Sequence, residues 1–265
     1  MGSATAIQWT HHTFNPWWGC TKISEGCTNC YAEAWDKRTG GTHWGKTSWR
    51  RFFGAKHWQE PVKWNAAAKA AGERRRVFCA SMADVFEDPP GETGSAVGRE
   101  RERLWALIRE TLFLDWQLLT KRPGNIWSML PSDWGNGYAN VWLGTSAEDQ
   151  GRWDERVPLL LSVPGFRVLR FVSAEPLLGQ IDPMFDIHRG WRDSPSPQVE
   201  WLIVGSESGP HARPMLEEWV RRLRDECLEH GVAFFLKQYT DEHGKKVGLP
   251  ILDGRRWAEF PEAIP

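Results

Sequence analysis

Short runs of apolar residues alternate along this chain with longer stretches in which charged and apolar residues repeat at helical spacing. The runs predict strands over residues 6–10, 76–81, 115–120, 140–145, 166–172, 200–204 and 232–236. The stretches between them predict helices over residues 31–38, 61–71, 97–112, 150–161 and 217–229. Strands that alternate with helices form a parallel sheet with the helices packed outside it. The pattern therefore predicts an α/β fold, a partial (β/α) barrel of six to seven parallel strands.

Polar and charged residues follow almost every predicted strand. In barrel enzymes the active site lies at the carboxyl ends of the strands, so these side chains would share one opening. Any single one is also explained as a helix N-cap or a solvated loop residue. Their recurrence favours a site, and the set comprises Asp84, Lys121, Ser146, Glu148, Glu175, Glu207, Lys237 and Gln238.

The 265 residues are expected to form a single domain, since barrels of about 200–250 residues commonly fold as one unit. Residues near 42–63, rich in Trp, Arg, Lys and His, are predicted to be an insertion, and residues near 240–265 a turn-rich tail. The insertion is compatible with a lid that cradles a polyanionic or stacked substrate, or with a solvated, partly packed loop. Most of the 18 Trp are predicted to be core or rim residues, with a base-stacking surface as the alternative.

Composition narrows the class of protein. A hydrophobic fraction of 41% and a charged fraction of 25% are ordinary for a soluble globular protein. No apolar run approaches the roughly 20 residues that span a bilayer, and the N-terminus has no signal-peptide pattern, so we expect a cytoplasmic protein without a membrane partner. The net charge of −1 argues against strong global attraction to nucleic acid and permits a local basic patch.

Three of the five cysteines, Cys20, Cys27 and Cys30, fall within eleven residues at the spacing C-x6-C-x2-C. Thiolates select zinc, copper(I) or iron–sulfur clusters, so this loop predicts a metal site. Gly19 and Gly26, which precede two of the cysteines, let the backbone approach such a centre closely. A disulfide would leave one of the three cysteines unpaired.

The identity of the metal depends on a fourth ligand. Structural zinc normally has four protein ligands. A [4Fe–4S] cluster held by three thiolates leaves one iron open, as a reactive centre requires. The candidates for a fourth protein ligand are His11, His12, His43, Cys79 and Cys227. The last two are otherwise expected to be buried core thiols.

The segment from Asn15-Pro-Trp-Trp-Gly-Cys20 to Cys27-Thr-Asn-Cys30-Tyr31-Ala32 resembles the cluster loop of radical S-adenosylmethionine (SAM) enzymes, especially those similar to spore photoproduct lyase. It resembles even more closely an uncharacterised phage and bacterial family described by its three-cysteine motif. The usual radical SAM loop is C-x3-C-x2-C, and Asn29 occupies a position that is commonly aromatic, with Tyr31 the closest aromatic residue. The resemblance covers roughly residues 6–239 and includes the segments 78–84, 119–122, 173–178, 204–209, 212–214 and 235–238.

The resemblance implies a [4Fe–4S] cluster on the three loop cysteines and SAM bound at the open iron. It implies reductive cleavage of SAM to a 5′-deoxyadenosyl radical, which abstracts hydrogen from the substrate, and it requires an electron donor. The implied substrate is a nucleobase, nucleotide or DNA, in a modification or repair reaction. The candidate SAM-binding residues are Tyr31, Ser81, Asp84, Ser146, Glu148 and Glu175. The candidate catalytic residues are Lys121, Glu207 and Lys237, and Arg213 is expected to face SAM or the substrate.

The sequence is also compatible with two functions of other classes. The first is a non-catalytic zinc or iron–sulfur protein that binds nucleic acid or a partner, which requires a fourth protein ligand. The second is a non-redox barrel hydrolase in which the cysteines are structural. It would use Asp84, Glu175 or Glu207 as acid and base.

Overall fold

A computed structural model describes residues 5–183, 185, 198–209, 211–240 and 245–262. Parts of the predicted tail, residues 241–244 and 263–265, and the first four residues lie outside the described residues. The helices are α1 (Tyr31–Arg38), α2 (Ala55–Trp58), α3 (Glu60–Ala71), α4 (Gly91–Glu110), α5 (Gln150–Leu161) and α6 (Glu217–His230). The strands are β1 (His12–Thr13), β2 (Trp17–Trp18), β3 (Arg51–Phe52), β4 (Arg75–Cys79), β5 (Leu114–Thr120), β6 (Val141–Ser146), β7 (Leu169–Ala174), β8 (Trp201–Gly205), β9 (Ala233–Thr240), β10 (Lys246–Gly248), β11 (Ile251–Leu252) and β12 (Arg255–Arg256).

The main sheet has the strand order β1-β4-β5-β6-β7-β8-β9-β10. Each neighbouring pair from β1 to β9 is parallel, and β10 is antiparallel to β9. This sheet confirms the predicted α/β fold, a partial barrel of seven parallel strands to which β10 adds an antiparallel edge. Because all seven parallel strands point the same way, their carboxyl ends lie along one side of the sheet.

Alternate residues of each strand face opposite sides of the curled sheet. The inward side chains, joined by Trp9 from the turn before β1, form an aromatic cluster that includes Phe78, Phe171, Trp201 and Phe235. The outward side chains pack against α4 in one cluster and against α5 and α6 in another. Eleven of the 18 Trp are buried among the described residues, which confirms the core interpretation for most of them.

The predicted first strand, residues 6–10, is wrong. The strand that pairs with β4 is His12–Thr13 instead. Residues 7–10 form a turn in which the Thr10 amide donates to the Ile7 carbonyl at 3.4 Å. The Trp9 side chain enters the barrel interior, where its ring centroid lies 4.6 Å from that of Phe78. The apolar residues of this segment therefore fill the barrel without joining the sheet.

The predicted insertion folds back on the cysteine loop. Its β3 pairs antiparallel with β2, two residues before Cys20. Arg50 is fully buried and Trp58 is 3% exposed, whereas Trp49 is 52% exposed. Arg50 and Trp58 are therefore part of the packed protein, whereas Trp49 remains accessible to solvent.

The two ends of the described chain meet at the open side of the sheet. The Gln8 side chain lies so close to Gly248 of β10 that a Cβ there would stand 2.5 Å from the Gln8 amide nitrogen. Below this contact, the Arg76 guanidinium stacks 3.8 Å from the ring centroid of Phe260. In the part of the chain that the structure describes, no helix has the length and apolar character needed to cross a membrane.

Candidate functional site

A cavity of about 410 Å³ opens at the carboxyl ends of the parallel strands. The cysteine loop lies over the same end and supplies Cys20, Cys27 and Cys30 to the cavity wall. Seven of the polar residues predicted from strand ends also line it, namely Asp84, Lys121, Ser146, Glu175, Glu207, Lys237 and Gln238. Tyr31 and Ser81 line it as well, and Glu148 is not among the described lining residues.

The three loop cysteines are free and half-buried. A short 3-10 helix spans Glu25–Cys27, and Cys30 directly precedes α1. The close approaches of the two loop glycines are to protein atoms. A Cβ at Gly19, whose φ is +115°, would stand 2.3 Å from the His43 carbonyl oxygen, and a Cβ at Gly26 would stand 2.2 Å from a Glu148 carboxylate oxygen.

The loop offers three thiols, which is the chemistry of an iron–sulfur ligand set. Among the described residues, no three His, Cys, Asp or Glu side chains converge closely enough to hold one metal ion. Soft sulfur donors suit iron–sulfur centres. Burial raises the pKa of the Cys20 and Cys30 thiols, and metal ligation would release those protons.

None of the five candidate fourth ligands lines the cavity. The His11 ring accepts a hydrogen bond from the Arg76 amide at 2.9 Å, on the far side of the barrel. The His12 ring stacks on Trp64, and the His43 ring is 2.7 Å from Asp36. The remaining two, Cys79 and Cys227, are fully buried in separate core clusters.

Glu148 supports the cysteine loop from behind. Its fully buried carboxylate accepts a hydrogen bond from the Ser24 hydroxyl at 2.9 Å and from Arg156 at 3.0 Å. The Lys121 ammonium lies 3.4 Å from the same carboxylate and reaches the cavity wall. Glu148 therefore orders the cysteine loop from outside the cavity, whereas Lys121 faces the cavity.

Both carboxylate oxygens of Asp84 accept hydrogen bonds. One oxygen accepts from the Thr120 hydroxyl at 2.7 Å and from the Phe86 amide at 3.0 Å. The other accepts from the Arg122 guanidinium at 2.7 Å and from the Lys121 amide at 3.2 Å. Sequence reasoning did not single out Arg122, although it directly follows a predicted site residue.

Two further carboxylates of the cavity are ion-paired. Glu175 lies 2.7 Å from the Lys237 ammonium. Glu207 accepts hydrogen bonds from Asn29 at 2.9 Å and from the Arg213 amide at 3.0 Å, and it also pairs with the Arg213 guanidinium. Burial acts to raise the pKa of Glu207, but these hydrogen bonds outweigh it and hold the pKa below its usual value.

Tyr31 and Ser81 form a bridge between the start of α1 and the end of β4. The Tyr31 hydroxyl donates to the Ser81 carbonyl at 2.6 Å, and the Asn15 amide donates to the Ser81 hydroxyl at 3.1 Å. The side-chain oxygen of Asn15 in turn accepts a hydrogen bond from the Met82 backbone amide at 2.7 Å. Ser146 lies across the cavity at the end of β6 and is almost fully buried.

Comparison with known proteins places the chain in a family. The model of a family described as a protein of unknown function, DUF5131, matches residues 4–261. The chain belongs to this family. No curated protein matches this DUF5131 chain.

Among solved structures, the DUF5131 chain is similar to a spore photoproduct lyase double mutant with bound AdoMet and dinucleoside spore photoproduct. The TM-score is 0.45 and the sequence identity is 12%, over 88% of this chain and 66% of that one. The chain therefore covers less than two thirds of that protein's length, and a similarity of this size shows no shared activity.

Proposed function

We propose that this protein is a radical SAM enzyme in which Cys20, Cys27 and Cys30 hold a [4Fe–4S] cluster and SAM binds beside it in the cavity. One observation carries the proposal. Three free cysteines of one loop face a cavity at the carboxyl ends of seven parallel strands, and no histidine is among the described residues that line it. A volume of about 410 Å³ lies in the range of small-molecule and cofactor sites.

When bound, the cluster and SAM would supply reductive cleavage of a sulfonium carbon–sulfur bond and a radical that abstracts hydrogen. The protein would orient SAM and keep water away from the reaction. Tyr31, Ser81, Ser146 and Glu175 line the cavity and are proposed to contact SAM. The other two candidates act indirectly in this proposal, because Asp84 already has four donors and the Glu148 carboxylate lies behind the loop.

A nucleobase, nucleotide or DNA is the proposed substrate. The cavity wall has more basic than acidic side chains, which favours an anionic ligand. The basic residues are Lys22, Lys121, Arg122, Lys237 and Lys246, and the acidic residues are Asp84, Glu175 and Glu207. Lys121, Glu207 and Lys237 remain the candidates that would contact this substrate. The same proposal includes an external electron donor and a cytoplasmic location. It also includes a relationship to phage proteins.

The two alternatives have less support. A zinc protein requires a fourth ligand, and the candidate histidines and cysteines are engaged or buried away from the cavity. A hydrolase requires a carboxyl group poised to exchange a proton. Each of the three candidate carboxylates of the cavity is instead paired with a cationic side chain.

The test uses protein purified and reconstituted without oxygen. Iron and sulfide are quantified, SAM and a strong reductant are added, and 5′-deoxyadenosine is measured by mass spectrometry. We expect about four irons per chain and 5′-deoxyadenosine from the wild type. The triple variant Cys20→Ala/Cys27→Ala/Cys30→Ala should give neither, and Cys227→Ala, outside the loop, should give both. Stoichiometric zinc without iron or SAM cleavage would overturn the proposal.

A further inference from the structure

Arg122 is the cationic side chain that contacts a loop thiol directly. One of its guanidinium nitrogens lies 3.7 Å from the Cys20 sulfur and 2.7 Å from the Asp84 carboxylate. The other terminal nitrogen donates to the Thr21 carbonyl at 2.5 Å. The arginine side chain is 12% exposed and Asp84 is 8% exposed, so water screens this arrangement weakly.

The other two loop cysteines lack such a partner among the described residues. The Cys27 sulfur lies 3.8 Å from the neutral Ser24 hydroxyl, and no hydrogen bond from a charged side chain reaches Cys30. Lys121 acts on Cys30 through space without a hydrogen bond, so among the described residues the direct hydrogen bond from a cation is confined to Cys20. This hydrogen bond comes from the end of β5, a different element from the loop.

We propose that Arg122, with Asp84 as its counter-ion, is a positioning residue that raises the reduction potential of the cluster through the Cys20 sulfur. This inference rests on the proposed function, because it assumes a cluster on the loop. The contact of Arg122 with the Thr21 carbonyl also fixes the loop beside Cys20.

The direction follows from charge. Reduction adds an electron, and a nearby guanidinium, which stays protonated, stabilises the more negative state. Hydrogen bonds to the sulfurs also help to set the potential of iron–sulfur clusters. The carboxylates of Asp84 and of Glu87, which is itself paired with Arg50, oppose the arginine, so the potential depends on the balance between these charges. Removing the charge of Arg122 or that of Asp84 should therefore move the potential in opposite directions.

The experiment measures the midpoint potential of the reconstituted cluster by a redox titration followed by electron paramagnetic resonance. Arg122→Gln should lower the potential, and Asp84→Asn should raise it. Arg122→Lys should fall between the wild type and Arg122→Gln, because it keeps the charge and loses the fork geometry. If Arg122→Gln fails to retain iron, the inference is tested by the other two variants. Arg122→Lys should then lower the midpoint potential and Asp84→Asn should raise it.

Arg152→Gln is the matched control. Arg152 also ties down the cysteine loop, through an ion pair of 2.9 Å with Glu25, but no contact joins it to a sulfur. Its removal should leave the potential unchanged. A purely structural role for Arg122 predicts no opposite shifts of the potential in Arg122→Gln and Asp84→Asn. Shifts of the same sign, or no shifts, would overturn this inference even if the wild type binds iron and cleaves SAM. Absence of iron from the wild type would overturn the proposed function and this inference with it.

Discussion

A buried ion pair between Arg50 and Glu87 holds the cysteine loop to the barrel. The guanidinium donates to the two carboxylate oxygens at 2.8 and 2.9 Å, and both side chains are almost completely buried. Further donors of Arg50 reach the Thr21 hydroxyl at 3.1 Å and the Gly45 carbonyl at 3.1 Å. The substitution Arg50→Met keeps most of the side-chain volume and leaves Glu87 without its cation.

The expected cost follows from breaking a buried pair. Removing one partner of such a pair typically costs about 3–5 kcal/mol, because the remaining charge is buried without compensation. For a chain of this size, 1 kcal/mol shifts the melting temperature by about 2–4 °C, so Arg50→Met should lower it by about 6–20 °C. Burial already raises the pKa of Glu87, and without Arg50 the carboxyl group should take up a proton, which favours the lower end of that range.

The assay is thermal unfolding followed by tryptophan fluorescence. The matched control is Arg109→Met, which breaks an ion pair with Asp133 whose side chains are 42% and 55% exposed. Surface pairs contribute about 1 kcal/mol or less, so the control should shift the melting temperature by no more than about 4 °C. Adding Glu87→Gln to Arg50→Met should recover part of the loss. Equal shifts for Arg50→Met and Arg109→Met would refute the reasoning.

Three other variants test the packing and the pH dependence. Gly26→Ala should destabilise the protein by about 1–3 kcal/mol because its Cβ would overlap the buried Glu148 carboxylate. Gly98→Ala, inside α4 with open space around its Cβ, should instead raise the free energy of unfolding by about 0.5–1 kcal/mol; the same sign for both in urea denaturation would contradict this. Burial raises the pKa of Glu200 to about 7 in the folded protein, so the wild type loses stability as the pH rises from about 4.5 to 7. Glu200→Gln should therefore be up to about 3 kcal/mol more stable than the wild type at pH 8, with little difference near pH 4.5. The exposed control Glu229→Gln should show no such change, and an equal gain for Glu200→Gln at both pH values would contradict the argument.

The regular part of the fold follows closely from the sequence pattern. The bounds predicted for α1 and α5 are those of the structure, because each helix begins at a clear boundary. At α5, for example, the Asp149 carboxylate caps the Arg152 amide at 2.9 Å. The predicted first strand failed because apolar periodicity does not distinguish a strand from a turn that inserts Trp9 into the barrel.

The sequence predicts most of the residues that line the candidate site, but it does not predict how their side chains contact one another. Parallel strands bring their carboxyl ends to one side of the sheet irrespective of the loop conformations. Polar residues that recur at these strand ends therefore predict a shared cavity. The sequence does not say which way a side chain points within a loop. Glu148 turns behind the cysteines because Ser24 and Arg156 meet it there, and Arg122, next to Lys121, reaches the Cys20 sulfur. Such contacts depend on tertiary packing.

The meeting of the chain ends has a consequence for synthesis of the protein. Cys20 leaves the ribosome early, whereas the aromatic interior is completed by Phe260, whose ring lies 5.3 Å from that of Trp201. The barrel can therefore close only after Phe260 has been translated, and contacts so distant in sequence form slowly. Until then the three thiols have no finished cavity around them. The loop cysteines therefore stay outside a finished cavity until the segment that contains Phe260 has emerged from the ribosome.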